Sequence, residues 1–282
     1  MINKFLAILA IIVFTSNQVN ATCYAALSAN HPNESSVSYS TTGYGEVPCS
    51  PVEGQRTAVI IILGQSLATN SVNSAYTPTH TLNQQLNIYD SKCYQAKGKA
   101  LGISGVYPSW IGARLGDVLI DRNLYDRVIM VPMSIGGTWA TEWANTTVKP
   151  FLGRRIGNVE CMLQSVGLEP SYVIWMQGEN ETNGRTTQAA YTASLNTIIG
   201  LIRNSGITAP ILINIETWLN GVIWTPVQNA QKSVVGTNNV IQGANIDSLN
   251  NSYRYDGTHL NANGAIAATN LLADIIASST PP

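Results

Sequence analysis

The sequence predicts a single three-layer α/β domain, in which helices cover both faces of a parallel sheet. After residue 56, short runs of aliphatic and β-branched residues alternate with stretches of helical periodicity. Such runs are typical of strands that are buried on both faces of a parallel sheet. The chain has 282 residues, of which 45% are hydrophobic and 11% are charged, so it is large and apolar enough to bury this core.

The predicted elements follow one another in regular order. The five strands are the apolar runs 57–63, 127–132, 171–176, 210–215 and 240–242. The helices are predicted near 108–122, 153–166, 186–204 and 225–235, with a last one from 263 to about 277. Strand-helix alternation over this length predicts one doubly wound domain. Residues 67–107 lack clear periodicity, and we expect a long insertion over the edge or the active face of the sheet.

The N-terminus is predicted to be a targeting segment. Lys4 precedes an apolar run at 5–14, and Val19-Asn20-Ala21 ends in a small residue. This pattern predicts a signal peptide, residues 1–21, that is cleaved after Ala21, so we expect a secreted or periplasmic protein. The apolar run is too short to span a bilayer, and no stable membrane insertion is expected. Residues 22–56 are rich in Ser, Thr, Asn, Gly and Pro and predict an irregular segment before the main domain, 57–282.

The cysteines and the charge exclude two kinds of site. Four cysteines remain after the predicted cleavage, and they are Cys23, Cys49, Cys93 and Cys161. An even number in an exported chain predicts two disulfides, and proximity favours Cys23 with Cys49 and Cys93 with Cys161 among the three possible pairings. Neither a CxxC motif nor Cys/His spacing indicates a metal site. A net charge of −1 without a basic stripe argues against nucleic acid as a partner.

Two short motifs supply the groups that acyl transfer needs. Ser66 follows an apolar strand and Gly64, at the end of the strand where ligands bind in open parallel sheets. Asp256 precedes His259 by three residues, whereas the other two histidines lie in polar, turn-rich stretches. A nucleophile, a base and an orienting carboxylate are the components of a catalytic triad. We therefore predict that Ser66, His259 and Asp256 are catalytic.

Two more strand ends carry candidate oxyanion donors. Gly136 and Gly137 follow the strand at 127–132 and can present backbone N–H groups, as can Ser66 itself. Gln177 and Asn180 follow the strand at 171–176 and offer side-chain amides. Glu179, between them, is expected to hold this loop together through hydrogen bonds. Trp143 either closes one wall of a pocket or packs in the core.

These motifs, taken together, resemble those of the SGNH hydrolase superfamily. Its four blocks are matched over residues 57–275 by Gly64-Gln65-Ser66, Gly136-Gly137-Thr138, Gln177-Gly178-Glu179 and Asp256-x-x-His259. The details resemble the carbohydrate esterase branch, which includes sialate O-acetylesterases and acetylxylan esterases. The resemblance implies a flavodoxin-like sheet and the removal of acetyl groups from an acetylated carbohydrate without a metal or other cofactor. It also implies that Gln65, Thr138, Trp143 and Glu179 lie around the substrate.

The chain departs from this branch at one position, and several alternatives stay open. Leu67 stands where the branch usually has Asn, so one polar group of the pocket is missing. Gln177 is the oxyanion donor expected in the branch, whereas Asn180 fits the wider superfamily. A lipase or thioesterase would keep the triad but need an apolar acyl groove, and the polar segment 67–107 argues against one. The remaining alternatives are an inactive glycan-binding protein and a surface-adhesion protein.

The sequence leaves the sugar undetermined. A sialic acid substrate would require a guanidinium group for its carboxylate. Five arginines are candidates, and the sequence ranks none of them above the others: Arg114, Arg154, Arg155, Arg185 and Arg254.

Overall fold

A computed structural model describes residues 36–147 and 152–279. The predicted signal peptide and Cys23 lie outside these ranges. The strands are β1 (Glu46–Val47), β2 (Thr57–Gly64), β3 (Asn83–Asn87), β4 (Lys92–Gln95), β5 (Arg127–Pro132), β6 (Tyr172–Met176), β7 (Ile211–Ile215) and β8 (Val240–Asn245). The helices are α1 (Ile111–Asp121), α2 (Ala140–Trp143), α3 (Leu152–Ser165), α4 (Glu179–Asn183), α5 (Gln188–Asn204), α6 (Thr225–Ser233) and α7 (Ala262–Ser278). A short 3₁₀ helix, Ser66–Ala68, directly follows β2.

All eight strands form one sheet in the order β1-β4-β3-β5-β2-β6-β7-β8. The strands from β3 to β8 in this order run parallel, and β4 and β1 add an antiparallel edge. Within it, β5-β2-β6-β7-β8 have the strand order 2-1-3-4-5 of flavodoxin-like folds. The predicted three-layer α/β fold is confirmed.

The two faces of the sheet bury separate cores, and β2 shows why the strands are apolar throughout. Its residues alternate between the two faces, so Ile61 and Leu63 join one core and Ile60 and Ile62 the other. The first core includes residues of α3, α5 and α6, and the second includes residues of α1 and α7. A central strand covered on both sides has no solvent-exposed face, which favours apolar residues at every position.

The segment 67–107 contributes two strands that were not predicted. β3 has the sequence Asn-Gln-Gln-Leu-Asn, yet all five of its residues are buried. Its amide side chains find specific partners. Asn83 Nδ2 donates to the Ala113 carbonyl at 2.7 Å, and Gln84 Oε1 accepts from the Arg127 guanidinium at 2.8 and 2.9 Å. Buried amides that form specific hydrogen bonds carry no hydrophobic periodicity, which explains why the sequence pattern did not predict this strand.

The predicted disulfide pairing is wrong. Cys49 is bonded to Cys93, 44 residues away, because β1 pairs with β4 and brings Val47 opposite Cys93. Cys161, in α3, is also disulfide-bonded. Proximity along the chain is therefore a poor guide here, since the antiparallel edge of the sheet decides which thiols meet.

The five predicted helices are present as α1, α3, α5, α6 and α7, with ends within a few residues of the predicted ones. The one-turn helices α2 and α4 were not predicted. Within the described ranges, no helix has the length and apolar character that a bilayer span requires.

Candidate active site

The carboxyl ends of β2, β5 and β6 meet at the point where the strand order reverses, and Ser66 lies there. Its position depends on Gly64, whose φ of 132° lies in the region that favours glycine. A Cβ atom at Gly64 would lie 1.8 Å from the Met176 carbonyl oxygen at the end of β6. The absence of a side chain lets β2 end against β6, and the chain then turns into the 3₁₀ helix that begins with Ser66.

Asp256 and His259 form a compact loop before α7. Asp256 Oδ2 lies 2.7 Å from His259 Nδ1, and its Oδ1 accepts from the backbone N–H groups of Thr258 and His259 at 3.0 and 2.7 Å. Burial by itself raises the pKa of Asp256, but these hydrogen bonds outweigh it and hold the pKa below the usual value. An ionised carboxylate on Nδ1 holds the ring's orientation and leaves Nε2 to act as a base.

Ser66 and His259 line one cavity of about 220 Å³ together with Gly136 and Gly137. The structure thus brings the predicted nucleophile, base and backbone donors to one place. The rest of the lining is Ser36, Thr69, Asn70, Ser71, Ser104, Gly105, Val106 and Tyr107. A larger cleft of about 810 Å³ lies at the other end of the sheet, lined by residues that include Arg56, Ser171 and Pro210. None of the predicted site residues lines this cleft, so the smaller cavity is the candidate site.

The two candidate backbone donors lie directly beside Ser66. A Cβ atom at Gly136 would lie 3.7 Å from Ser66 Cβ and 3.3 Å from Ser104 Oγ. The Gly136 N–H donates to Ser104 Oγ at 2.7 Å. Sequence reasoning missed Ser104, because an isolated serine in a segment without periodicity carries no signal of its own.

The two candidate amide donors have different surroundings. Gln177 is completely buried, and its Nε2 donates to the Thr138 carbonyl at 2.6 Å and to Gln65 Oε1 at 2.8 Å. Asn180 is partly exposed, and its Nδ2 donates to the same Thr138 carbonyl at 3.0 Å. A completely buried amide with both hydrogens engaged is poorly placed to meet a substrate. The geometry therefore favours Asn180 as the side-chain donor.

The four residues predicted to contact substrate lie beneath the site. Gln65, Thr138, Trp143 and Glu179 are at most 2% exposed, and none of them is among the residues that line the described cavity. Trp143 donates from Nε1 to Thr138 Oγ1 at 3.0 Å and packs edge-on against Trp175, which makes it a core residue. We therefore assign these four residues to the support of the site rather than to contact with the substrate.

A buried polar network connects the nucleophile turn to the loop after β6. Gln65 Nε2 donates to Glu179 Oε2, and Gln65 Oε1 accepts from Gln177 and from the Asn180 backbone N–H. Burial raises the pKa of Glu179 to about 8. Burial, together with the neighbouring charge of Glu179, raises the pKa of Glu216 well above its usual value. The two carboxyl groups therefore favour their neutral forms near neutral pH.

Sequence reasoning missed Glu216, and it named Arg254 only as one of five candidate partners for a substrate carboxylate. Glu216 directly follows the apolar strand β7, so its place at a strand end was the available signal. Arg254 is buried, and its guanidinium donates to the carbonyls of Leu249, Thr258 and Ile246. It holds the loop that carries Asp256 and His259.

Comparisons with known proteins identify the family and the fold of the chain. The family described as carbohydrate esterase, sialic acid-specific acetylesterase, matches residues 51–278. A solved protein from Arabidopsis thaliana is 17% identical with a TM-score of 0.63, covering 79% of this chain and 99% of its own. NanS is 12% identical with a TM-score of 0.61, covering 81% and 98%. A carbohydrate acetylesterase from Xanthomonas citri is 14% identical with a TM-score of 0.54, covering 78% and 55%. No curated protein sequence matches the chain significantly. At these identities the solved structures show the fold alone.

Proposed function

Because the chain belongs to the sialic acid-specific acetylesterase family of carbohydrate esterases, we propose that it is an exported serine esterase that deacetylates sugars. Membership makes it a carboxylic ester hydrolase of the carbohydrate acetylesterase type. The assignment of Ser66, His259 and Asp256 as the triad is supported by one observation. Ser66 and His259 line a single cavity, while Asp256 Oδ2 lies 2.7 Å from His259 Nδ1.

The reaction proceeds through an acyl-enzyme. His259 Nε2 takes the proton from Ser66 Oγ as this oxygen attacks the acetyl carbonyl carbon, and Asp256 stabilises the resulting imidazolium. The sugar oxygen then leaves with the proton from His259, which yields acetyl-Ser66. Water, deprotonated by His259, attacks this ester and releases acetate, and Ser66 regains its proton.

The oxyanion is stabilised by donors at three strand ends. These are the backbone N–H groups of Ser66 and of Gly137, together with the Asn180 side chain, because the Gly136 N–H already donates to Ser104 Oγ. Each well-placed donor contributes about 3–4 kcal/mol to transition-state stabilisation.

Cavity volume and the disulfide support the finer parts of the proposal. At about 220 Å³, the cavity is smaller than the roughly 300–1,000 Å³ typical of pockets for drug-sized ligands, which suits an acetyl group better than a long acyl chain. The Cys49–Cys93 disulfide supports export, because disulfides persist in oxidising compartments.

Acetate release from a panel of acetylated glycans, with Ser66→Ala as the blank, tests the proposal. The panel contains O-acetylated sialoglycans, acetylxylan and p-nitrophenyl esters from acetate to dodecanoate. We expect wild type to release acetate and to prefer the shortest p-nitrophenyl ester. Ser66→Ala should lose roughly 10⁴–10⁶-fold in kcat with an unchanged Tm. A folded Ser66→Ala protein with wild-type turnover would refute the triad, and a preference for long esters would favour a lipase-type esterase.

A further inference from the structure

The cavity that contains Ser66 has two chemically different parts. Its floor is formed by the buried polar residues Thr69, Asn70 and Ser104. Its rim carries Val106, which is 76% exposed, and Tyr107, which is 38% exposed. A sugar ring has the same division, with hydroxyl groups around its edge and C–H groups on its faces. An aromatic ring that is apolar in its body and polar at its tip suits such a ligand.

The rim segment is fastened to the turn that carries the nucleophile. Buried Asn70 accepts from the Ala100 N–H at 2.7 Å and donates to the Ala100 carbonyl at 3.0 Å. Its backbone carbonyl accepts from the Tyr107 N–H at 3.1 Å. Gly105 has a φ of 104°, and a Cβ atom there would lie 2.4 Å from the same carbonyl oxygen. Tyr107 therefore keeps a defined position relative to Ser66.

Tyr107 is also connected to the base. Its ring packs against Tyr255 with 5.2 Å between centroids, and Tyr255 stacks on the His259 imidazole at 5.9 Å and 23°. Tyr107 is thus held on one side by the turn that follows Ser66 and on the other by Tyr255, which stacks on His259. A substrate that stacks on Tyr107 is placed relative to both reacting groups.

The charges around the cavity disfavour an anionic sugar. Among the described residues that line it, none is an aspartate, glutamate, lysine or arginine, and Asp256, which is paired with His259, is negative. Arg254 approaches this loop from below but is 5% exposed, and its guanidinium is engaged by three backbone carbonyls. A carboxylate placed here would be desolvated beside Asp256 without a guanidinium partner.

We propose that Tyr107 determines specificity in this cavity by stacking on the face of an uncharged acetylated sugar. The inference rests on the proposed function and narrows its substrate class. The description of the family names sialic acid, which carries a carboxylate. The substrate class proposed for this chain, an uncharged sugar, therefore differs from the one that the description names.

Two matched comparisons test it. The first uses an O-acetylated sialic acid and its methyl ester, which differ only in the negative charge, together with an O-acetylated methyl xyloside. We expect kcat/KM to be at least tenfold higher for the two uncharged compounds. A higher kcat/KM for the free acid would overturn the proposal.

The second comparison uses Tyr107→Ala, Tyr107→Phe and Tyr39→Ala, since Tyr39 is an exposed tyrosine outside the lining of the described cavity. Tyr107→Ala should lower kcat/KM on the acetylated xyloside by a factor at least tenfold larger than on p-nitrophenyl acetate. The difference should come from a higher KM for the xyloside. Tyr107→Phe should recover most of this loss, and Tyr39→Ala should match wild type. Equal losses on both substrates would overturn the stacking role. If wild type cleaves none of these esters, the proposed function itself fails.

Discussion

At the scale of single residues, burial separates groups that look equivalent in sequence. Gln177 and Asn180 are both amides at the end of β6, and both donate to the Thr138 carbonyl. Gln177 is completely buried and also bonds Gln65, whereas Asn180 is partly exposed. Gln177 is therefore suited to support the loop after β6, and Asn180 is suited to donate to the oxyanion.

Substituting each amide by alanine should separate these roles. Asn180→Ala should lower kcat on p-nitrophenyl acetate by about 10²–10³-fold, because an oxyanion donor is lost. Gln177→Ala should lower the free energy of unfolding by about 1–3 kcal/mol, because buried partners are left unsatisfied. Urea denaturation and steady-state kinetics on both variants measure the two effects. An Asn180→Ala enzyme with wild-type kcat would return the donor role to Gln177.

At the scale of elements, one carboxylate ties the segment 67–107 to helix α1. Asp117 accepts from the Tyr76 hydroxyl at 2.6 Å, the Thr79 N–H at 2.7 Å and Asn83 Nδ2 at 2.8 Å. Burial alone raises the pKa of Asp117, but these hydrogen bonds outweigh it and lower the pKa. This anchoring places β3 next to β5, since Asn83 is the first residue of β3.

Asp117→Ala should lower the free energy of unfolding by roughly 3 kcal/mol at pH 7, because several buried donors would lose their acceptor. Since the folded-state pKa is depressed, the contribution of the carboxylate is present above the unfolded value of about 3.9 and is lost as the pH falls through the folded value. The difference from wild type should therefore shrink in acid. Asp121→Ala is the control. This exposed carboxylate is the last residue of the same helix and pairs with His80, so its removal should lower the free energy of unfolding by less than about 1 kcal/mol. Equal losses for the two variants in urea denaturation would contradict this assignment.

At the scale of the whole molecule, the fold encloses acidic groups below its active site. Glu179 follows β6 and Glu216 follows β7, and both residues are buried. Burial raises the pKa of both carboxyls; the negative charges of Glu179 and Asp247 raise that of Glu216 further, whereas a backbone hydrogen bond and the positive charge of Arg254 partly oppose the rise at Glu179. The folded state consequently holds protons that the unfolded chain releases above its ordinary value of 4.5.

Stability should respond to pH with a definite sign. Between pH 4.5 and about 8 the folded state binds more protons than the unfolded state, so the contribution of this pair to the free energy of unfolding falls as the pH rises. Each retained proton contributes a slope of about 1.4 kcal/mol per pH unit. The stability of Glu216→Gln relative to wild type should increase as the pH rises through this range, whereas that of Glu53→Gln, a change at an exposed residue, should not. Parallel pH profiles of Tm for all three proteins would refute this.

Much of the fold follows from local pattern. The run Thr57–Gly64 is apolar at nearly every position because both of its faces are covered, and this predicted a central strand. By contrast, four of the five residues of β3 are amides, and their burial depends on partners such as Arg127, Ala113 and Asp117. Those partners come from distant segments, so no window of sequence around β3 contains the reason for its conformation.

The sequence by itself determined the fold class, the five central strands and the residue types of the candidate site. These follow from periodicity and from short motifs, in which the chemistry and the spacing lie within a few residues, as in Asp256 and His259. The tertiary structure decided which cysteines pair, which of the two amides is completely buried, that Tyr107 lines the cavity, and that Gln65, Thr138, Trp143 and Glu179 do not. Burial and hydrogen bonding between segments far apart in the chain control these outcomes, and they exist only once the sheet has assembled.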